Sequence, residues 1–163
     1  MRRYEFLDQP TMRCVHFVRT SAPSGFLEEQ VEAAKRVGVR FAYWNYLHGG
    51  RESGTIATPL GIAIGLDNAP YGIRPWVQFL DDLITLAYRY DGLVIVVDRA
   101  DLLLTEKSDE MFDCLEAFMV QFHHWYDGKK PCHLCFQMME DDEVTNLFTR
   151  EARDGASPAG RMD

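Results

Sequence analysis

No run of the 163 residues is long and apolar enough to span a bilayer. The opening MRRYEFLDQP is basic but lacks the apolar stretch of a secretory signal, so a cytoplasmic location is expected. Cysteine is scarce. Cys14, Cys114, Cys132 and Cys135 are the four, and reduced thiols are expected in that compartment. There is one CxxC, Cys132–Cys135, and no second to complete a tetrahedral set. On a strand its two thiols point to opposite faces, so no metal site and no redox pair are expected there. No GxSxG elbow occurs. His16, His48, His123, His124 and His133 are scattered without a nucleophile partner. The phosphate-binding pattern GxxxxGK[ST] is absent too. Aligned on Gly25, the chain has Thr20 for the first glycine, Phe26 for the lysine and Leu27 for the magnesium-binding hydroxyl. These absences argue against an enzyme, and no cofactor is expected.

What is present is acid. The net charge of −8 is unevenly spread: +2 over residues 1–66, −10 over 67–149 and zero over 150–163. A field of that sign repels nucleic acid and draws in a basic protein, although such a surface also serves solubility alone. The run Glu140–Glu143 reads as a solvated loop.

Hydrophobic content of 47% suits one globular domain, expected over 1–149 with a disordered tail at 150–163. Residues 13–19 read as a strand, TSAPSG as a turn, and Ser24 as the cap of a helix ending at Gly38. Residues 39–46 are extended. A glycine-rich insertion over 48–70 reads as a loop, with one short strand or hairpin at Ile62–Leu66. A helix over 75–90 starts at Pro75. Trp76, Phe79, Leu80, Leu83, Ala87 and Tyr90 lie on its apolar side; Gln78, Asp81, Asp82, Thr85 and Arg89 lie on the other. Leu93–Val97 has the continuous apolar character of a central parallel strand. Asp98–Lys107 connects it to a helix from Ser108 to Gly128, whose stripe is Met111, Phe112, Leu115, Phe118, Met119 and Phe122. A strand at Cys132–Met138 and a short helix including 144–148 follow. The alternation implies an α/β fold: a small, mostly parallel, three- to four-stranded sheet packed with helices.

Over residues 70–138 the chain resembles the barstar family of ribonuclease inhibitors. Tyr71-Gly72, Arg74, Trp76, Phe79, Asp81 and Leu83 carry the likeness. The strand LVIVV, the words DRADLLL, and the helix end HHWYDGKKP before the last strand continue it. The chain departs at Val77 and Leu80, where family members often carry an acid and an aromatic. The resemblance implies a barstar-like fold and an immunity or inhibitor protein that binds a basic ribonuclease or toxin. It implies Asp81 as the phosphate-mimicking carboxylate, framed by Tyr71 and Trp76 and supported by Gln78 and Asp82. Without the resemblance, Asp81 reads as a solvated position, Trp76 as core and Tyr71 as a turn anchor.

The alternative is a degenerate P-loop-like domain without NTPase activity, acting as a scaffold or regulator. Its support is LVIVVD, a strand ending in Asp98, here followed by Arg99 where an acid would activate water. That alternative expects residues 39–46 inside the sheet beside Leu93–Val97, in five strands. The inhibitor expects three.

Overall fold

The structure, a computed structural model, describes residues 9–20, 31–33, 35 and 38–139. The Ser24 cap, the helix at 144–148 and the tail at 150–163 lie outside the described residues.

Four parallel strands form one sheet: β1 (Val15–Thr20), β2 (Arg40–Asn45), β3 (Leu93–Asp98) and β4 (Cys132–Met139), in the order β1-β4-β3-β2. The expected α/β class holds. Among the described residues the sheet has four strands, within the expected three to four, and β2 lies beside β3 at the end of the order. The register sets Asn45 opposite Asp98, Asp98 opposite Gln137, and Val18 also opposite Gln137. Every residue of β3 is buried, because both faces of the sheet are covered.

The helices on the larger face are α1 (Ala57–Ile64), α2 (Pro75–Arg89), α3 (Ala100–Glu106) and α4 (Ser108–Asp127). Leu93, Ile95 and Val97 of β3 share that core with Leu60, Phe79, Leu83, Phe118 and Trp125. The opposite face presents Val94, Val96 and Cys135, against which Ala33 packs from the helical residues 31–33. Strand alternation therefore sends Cys132 and Cys135 to different cores, as the spacing predicts. Burial pushes both thiols up, Cys135 to about 12.

Three expectations fail. The glycine-rich segment contains the helix α1, where a short strand or hairpin was expected. Ala57, Leu60, Gly61 and Ile64 recur at helical spacing and bury one side. Gly65 ends α1 in the left-handed region (φ 82°). There Leu66 N–H donates to Gly61 O and Gly65 N–H to Ile62 O, both bonds of a Schellman stop. The stretch Asp98–Lys107, expected only as a connection, contains the helix α3, in which Leu103 is buried. On α4 the buried stripe is Met111, Cys114, Ala117, Phe118, Gln121, Phe122 and Trp125. Phe112 and Met119 face solvent. The reason is geometric: an apolar stripe chosen by residue type missed Cys114 and Gln121. Gln121 is buried because its amide bonds inward, accepting from Trp125 Nε1 at 2.7 Å and donating to Phe118 O at 3.0 Å.

Candidate functional site

Parallel strands end together, and open α/β sheets bind ligands outside those carboxyl ends. Here the ends place Asn45, Asp98 and Gln137 side by side in register. Asp98 is 3% exposed and well supplied with donors. Tyr43 Oη donates to its Oδ2, Asn45 Nδ2 donates to the same oxygen at 3.3 Å, and Arg99 N–H donates to Oδ1 at 2.7 Å. Burial, then the Asp98 hydrogen bond and charge, push the Tyr43 phenol up to about 12. Arg99 adopts a left-handed conformation (φ 56°) and forks onto the buried Asp101, with Nη2–Oδ2 at 2.8 Å and Nε–Oδ1 at 3.2 Å. Gln137 differs from all of these. It is buried, and among the described residues neither atom of its amide has a hydrogen-bond partner.

The loop after β2 borders this edge and is held by the α3–α4 junction. Glu106 accepts from Tyr46 Oη at 2.9 Å and pairs with Arg51 at 2.6 Å. The Arg51 guanidinium holds the Glu106 carboxyl below its ordinary range. Lys107 Nζ donates to Gly50 O at 2.7 Å and also to Ser53 O. Glu110 accepts from Thr55 Oγ1 at 2.9 Å, from Ile56 N–H at 2.8 Å and from Trp76 Nε1 at 3.2 Å. One carboxylate thus joins the start of α1, the start of α2 and α4.

Of the five residues expected to meet a partner, Asp81 and Gln78 are exposed, Tyr71 and Trp76 are half-buried and Asp82 is buried. Asp81 is exposed on α2. Gln78 is exposed, but its Oε1 accepts from Gly72 N–H at 2.8 Å. Trp76 is partly buried, packs edge-on against Phe79 and is tied to Glu110. Asp82 is 5% exposed, on the buried side of the helix, and so it corrects the expectation of a second outward acid. Asp82 accepts from Asn68 N–H at 3.2 Å, from Asn68 Nδ2 at 2.5 Å and from Tyr71 Oη at 3.0 Å. Burial and that carboxylate raise the Tyr71 phenol's pKa. Tyr71 in turn packs its hydroxyl end against Gly61, where a Cβ would come within 2.8 Å of the ring and its Oη. Asp82 and Tyr71 therefore latch the 66–72 loop onto α1 and α2.

Sequence reasoning passed over Tyr43, Asn45, Glu106, Lys107, Glu110 and Gln137. Asparagine at the end of an aromatic strand, and glutamine at the end of another, were the available signals. For the acids of the α3–α4 junction there was none, because their partners lie more than 30 residues away. Among the described residues no group of three histidine, cysteine or acidic side chains could hold a metal ion. No helix there is long and apolar enough to cross a membrane.

No family model matches the chain, and no curated protein matches it. Among solved structures the fold is similar to that of the Aeropyrum pernix ORC2 protein, solved as ADPNP–ADP complexes. The TM-score is 0.55 at 18% identity, over 91% of this chain and 40% of that one. The chain thus spans about two fifths of the length of that protein.

Proposed function

We propose that the chain is a P-loop-like α/β domain that does not hydrolyse nucleotide and acts as a scaffold or regulator. The observation that carries this reading is the end of β3. Asp98 lies between the ends of β2 and β4, with β2 beside β3 as that reading expects, and its oxygens are engaged by Tyr43, Asn45 and the Arg99 N–H. The next residue is Arg99, so no second acid is there to take a proton from water. The similar fold of ORC2 was solved with ADPNP and ADP. Here Phe26 and Leu27 stand where a lysine and a hydroxyl would neutralise phosphate and hold magnesium. The test is phosphate release from Mg-ATP. The expected rate equals the buffer blank for both the native chain and Asp98→Asn. Turnover that Asp98→Asn abolishes would overturn the reading.

The inhibitor reading implied by the barstar resemblance keeps one supporting observation: Asp81 stands exposed on a helix whose neighbouring loop is latched. On that reading the chain inhibits a basic ribonuclease, and Asp81→Ala weakens the complex at least tenfold. Full ribonuclease activity at a large excess of the chain would remove it.

A further inference from the structure

Among the described residues β1 is an outer strand of the sheet, at the end opposite β2. Leu134 N–H donates to Cys14 O at 2.8 Å. Successive residues of a strand turn their backbone groups to opposite sides. Cys14, His16 and Val18 therefore address β4, and Val15, Phe17 and Arg19 turn their N–H and C=O groups away from it. Beside this outer edge runs a groove of about 1030 Å³, bounded by Gln9, by residues 11–17 and, on the helix side, by Leu115 and Met119 of α4. Its apolar side chains are left in solvent: Met12 is 68% exposed, Phe17 59% and Met119 48%. Phe17 is nonetheless held in place, stacked on Phe136 with centroids 5.5 Å apart.

The charge of the edge is of one sign. Residues 9–20 contain Arg13 and Arg19 and no acid, and among the described residues neither arginine has an ion pair. The two lie six positions apart, roughly 20 Å along an extended strand.

We propose that the outer edge of β1 docks an extended partner segment that is apolar at alternate positions and acidic at both ends. The backbone groups of Val15, Phe17 and Arg19 supply the ladder. Phe17, Leu115 and Met119 take every second side chain, and the two arginines meet the flanking acids. A second copy of this chain fits poorly. Antiparallel pairing of two β1 strands about His16 would set Arg13 of one copy opposite Arg19 of the other at both ends, where like charges destabilise. The docking edge is separate from the strand ends that carry the reading above, so either can fail alone.

The experiment uses two capped nine-residue peptides of alternating valine and threonine, one ended by glutamates and the other by lysines. Affinity is read by fluorescence anisotropy and contact by amide hydrogen exchange. The glutamate peptide is expected to bind at least tenfold more tightly, and Arg13→Glu with Arg19→Glu reverses that order. Exchange slows at the Val15, Phe17 and Arg19 amides. Phe17→Glu, with its circular dichroism unchanged, lowers the affinity of the glutamate peptide at least tenfold. The proposal is overturned if neither peptide binds, if both bind equally, or if protection appears elsewhere. It is equally overturned if the three amides are already protected in the free protein, by another part of this chain or by a second copy.

Discussion

Strands β3 and β1 belong to one sheet but have opposite economies of contact. All of β3 is buried, its two sides feed two separate cores, and the acid at its end has three donors. By contrast, β1 follows the buried Cys14, leaves Phe17 largely in water and carries Arg19 which, like Arg13 two residues before the strand, has no ion pair among the described residues. The comparison teaches where this fold keeps its stability and where it keeps its free valences. Central strands hold the molecule together, and β1, with a strand neighbour on one side only among the described residues, carries the docking proposed above.

The largest expected effect breaks the centre. Leu93→Ala removes a fully buried side chain and should cost about 2–5 kcal/mol in urea denaturation. Phe17→Ala at the edge should cost about 1 kcal/mol or less, because most of that ring is already hydrated. Equal losses would erase the distinction between the strands. Next comes a contrast between adjacent acids. Asp82→Ala leaves three donors without their acceptor and should cost about 2–3 kcal/mol, whereas Asp81→Ala should stay within about 0.5 kcal/mol. Thermal melts of the two variants check this. Gln137→Leu should move stability the other way, by about 1–2 kcal/mol, since an unpartnered buried amide carries a desolvation penalty. A lower melting temperature would mean that the amide finds a partner in solution.

The smallest effect is in pH. His16 of β1 is half-buried, lies 3.0 Å from His133 Nδ1 through its Nε2, and has its pKa lowered by burial. Its protonation is therefore easier in the unfolded chain. Above the unfolded value of about 6.5 both states are neutral and the residue has no effect on the pH dependence. As pH falls below that value the unfolded state gains its proton first, and stability declines until the folded value is passed. The urea midpoint of the native chain should fall between pH 7.5 and pH 5.5. His16→Gln should reduce that fall. An unchanged pH dependence would remove His16 as its source.

Much of the fold was legible because single-residue chemistry decided it. The unbroken apolar run of β3 required cover on both sides. Pro75 and Gly128 marked helix ends, and the alternation of Cys132 and Cys135 separated the two thiols. The glycine count over 48–70 misled, because only Gly65 acts there as a stop, whereas Gly61 sits inside α1 to admit Tyr71. At the site, Asp81 and Asp82 look alike in a pattern that scores type and period. What separates them is Asn68 and Tyr71, whose loop folds back onto one and not the other. Glu110 was illegible for the same reason: its character depends on what lies opposite it, and pairing between distant elements leaves no local trace.

The neighbour of β1 is β4, and His16 meets His133 across 117 positions of chain. A ribosome makes β1 first and β4 last among the described strands. Until residue 139 has left the exit tunnel, β1 has no ladder partner, while β2, α1, α2 and β3 already hold most of their contacts with one another. Pairing of β1 with β4 is thus a long-range event, and β1 stays without its ladder partner among the described strands while residues 21–131 are made.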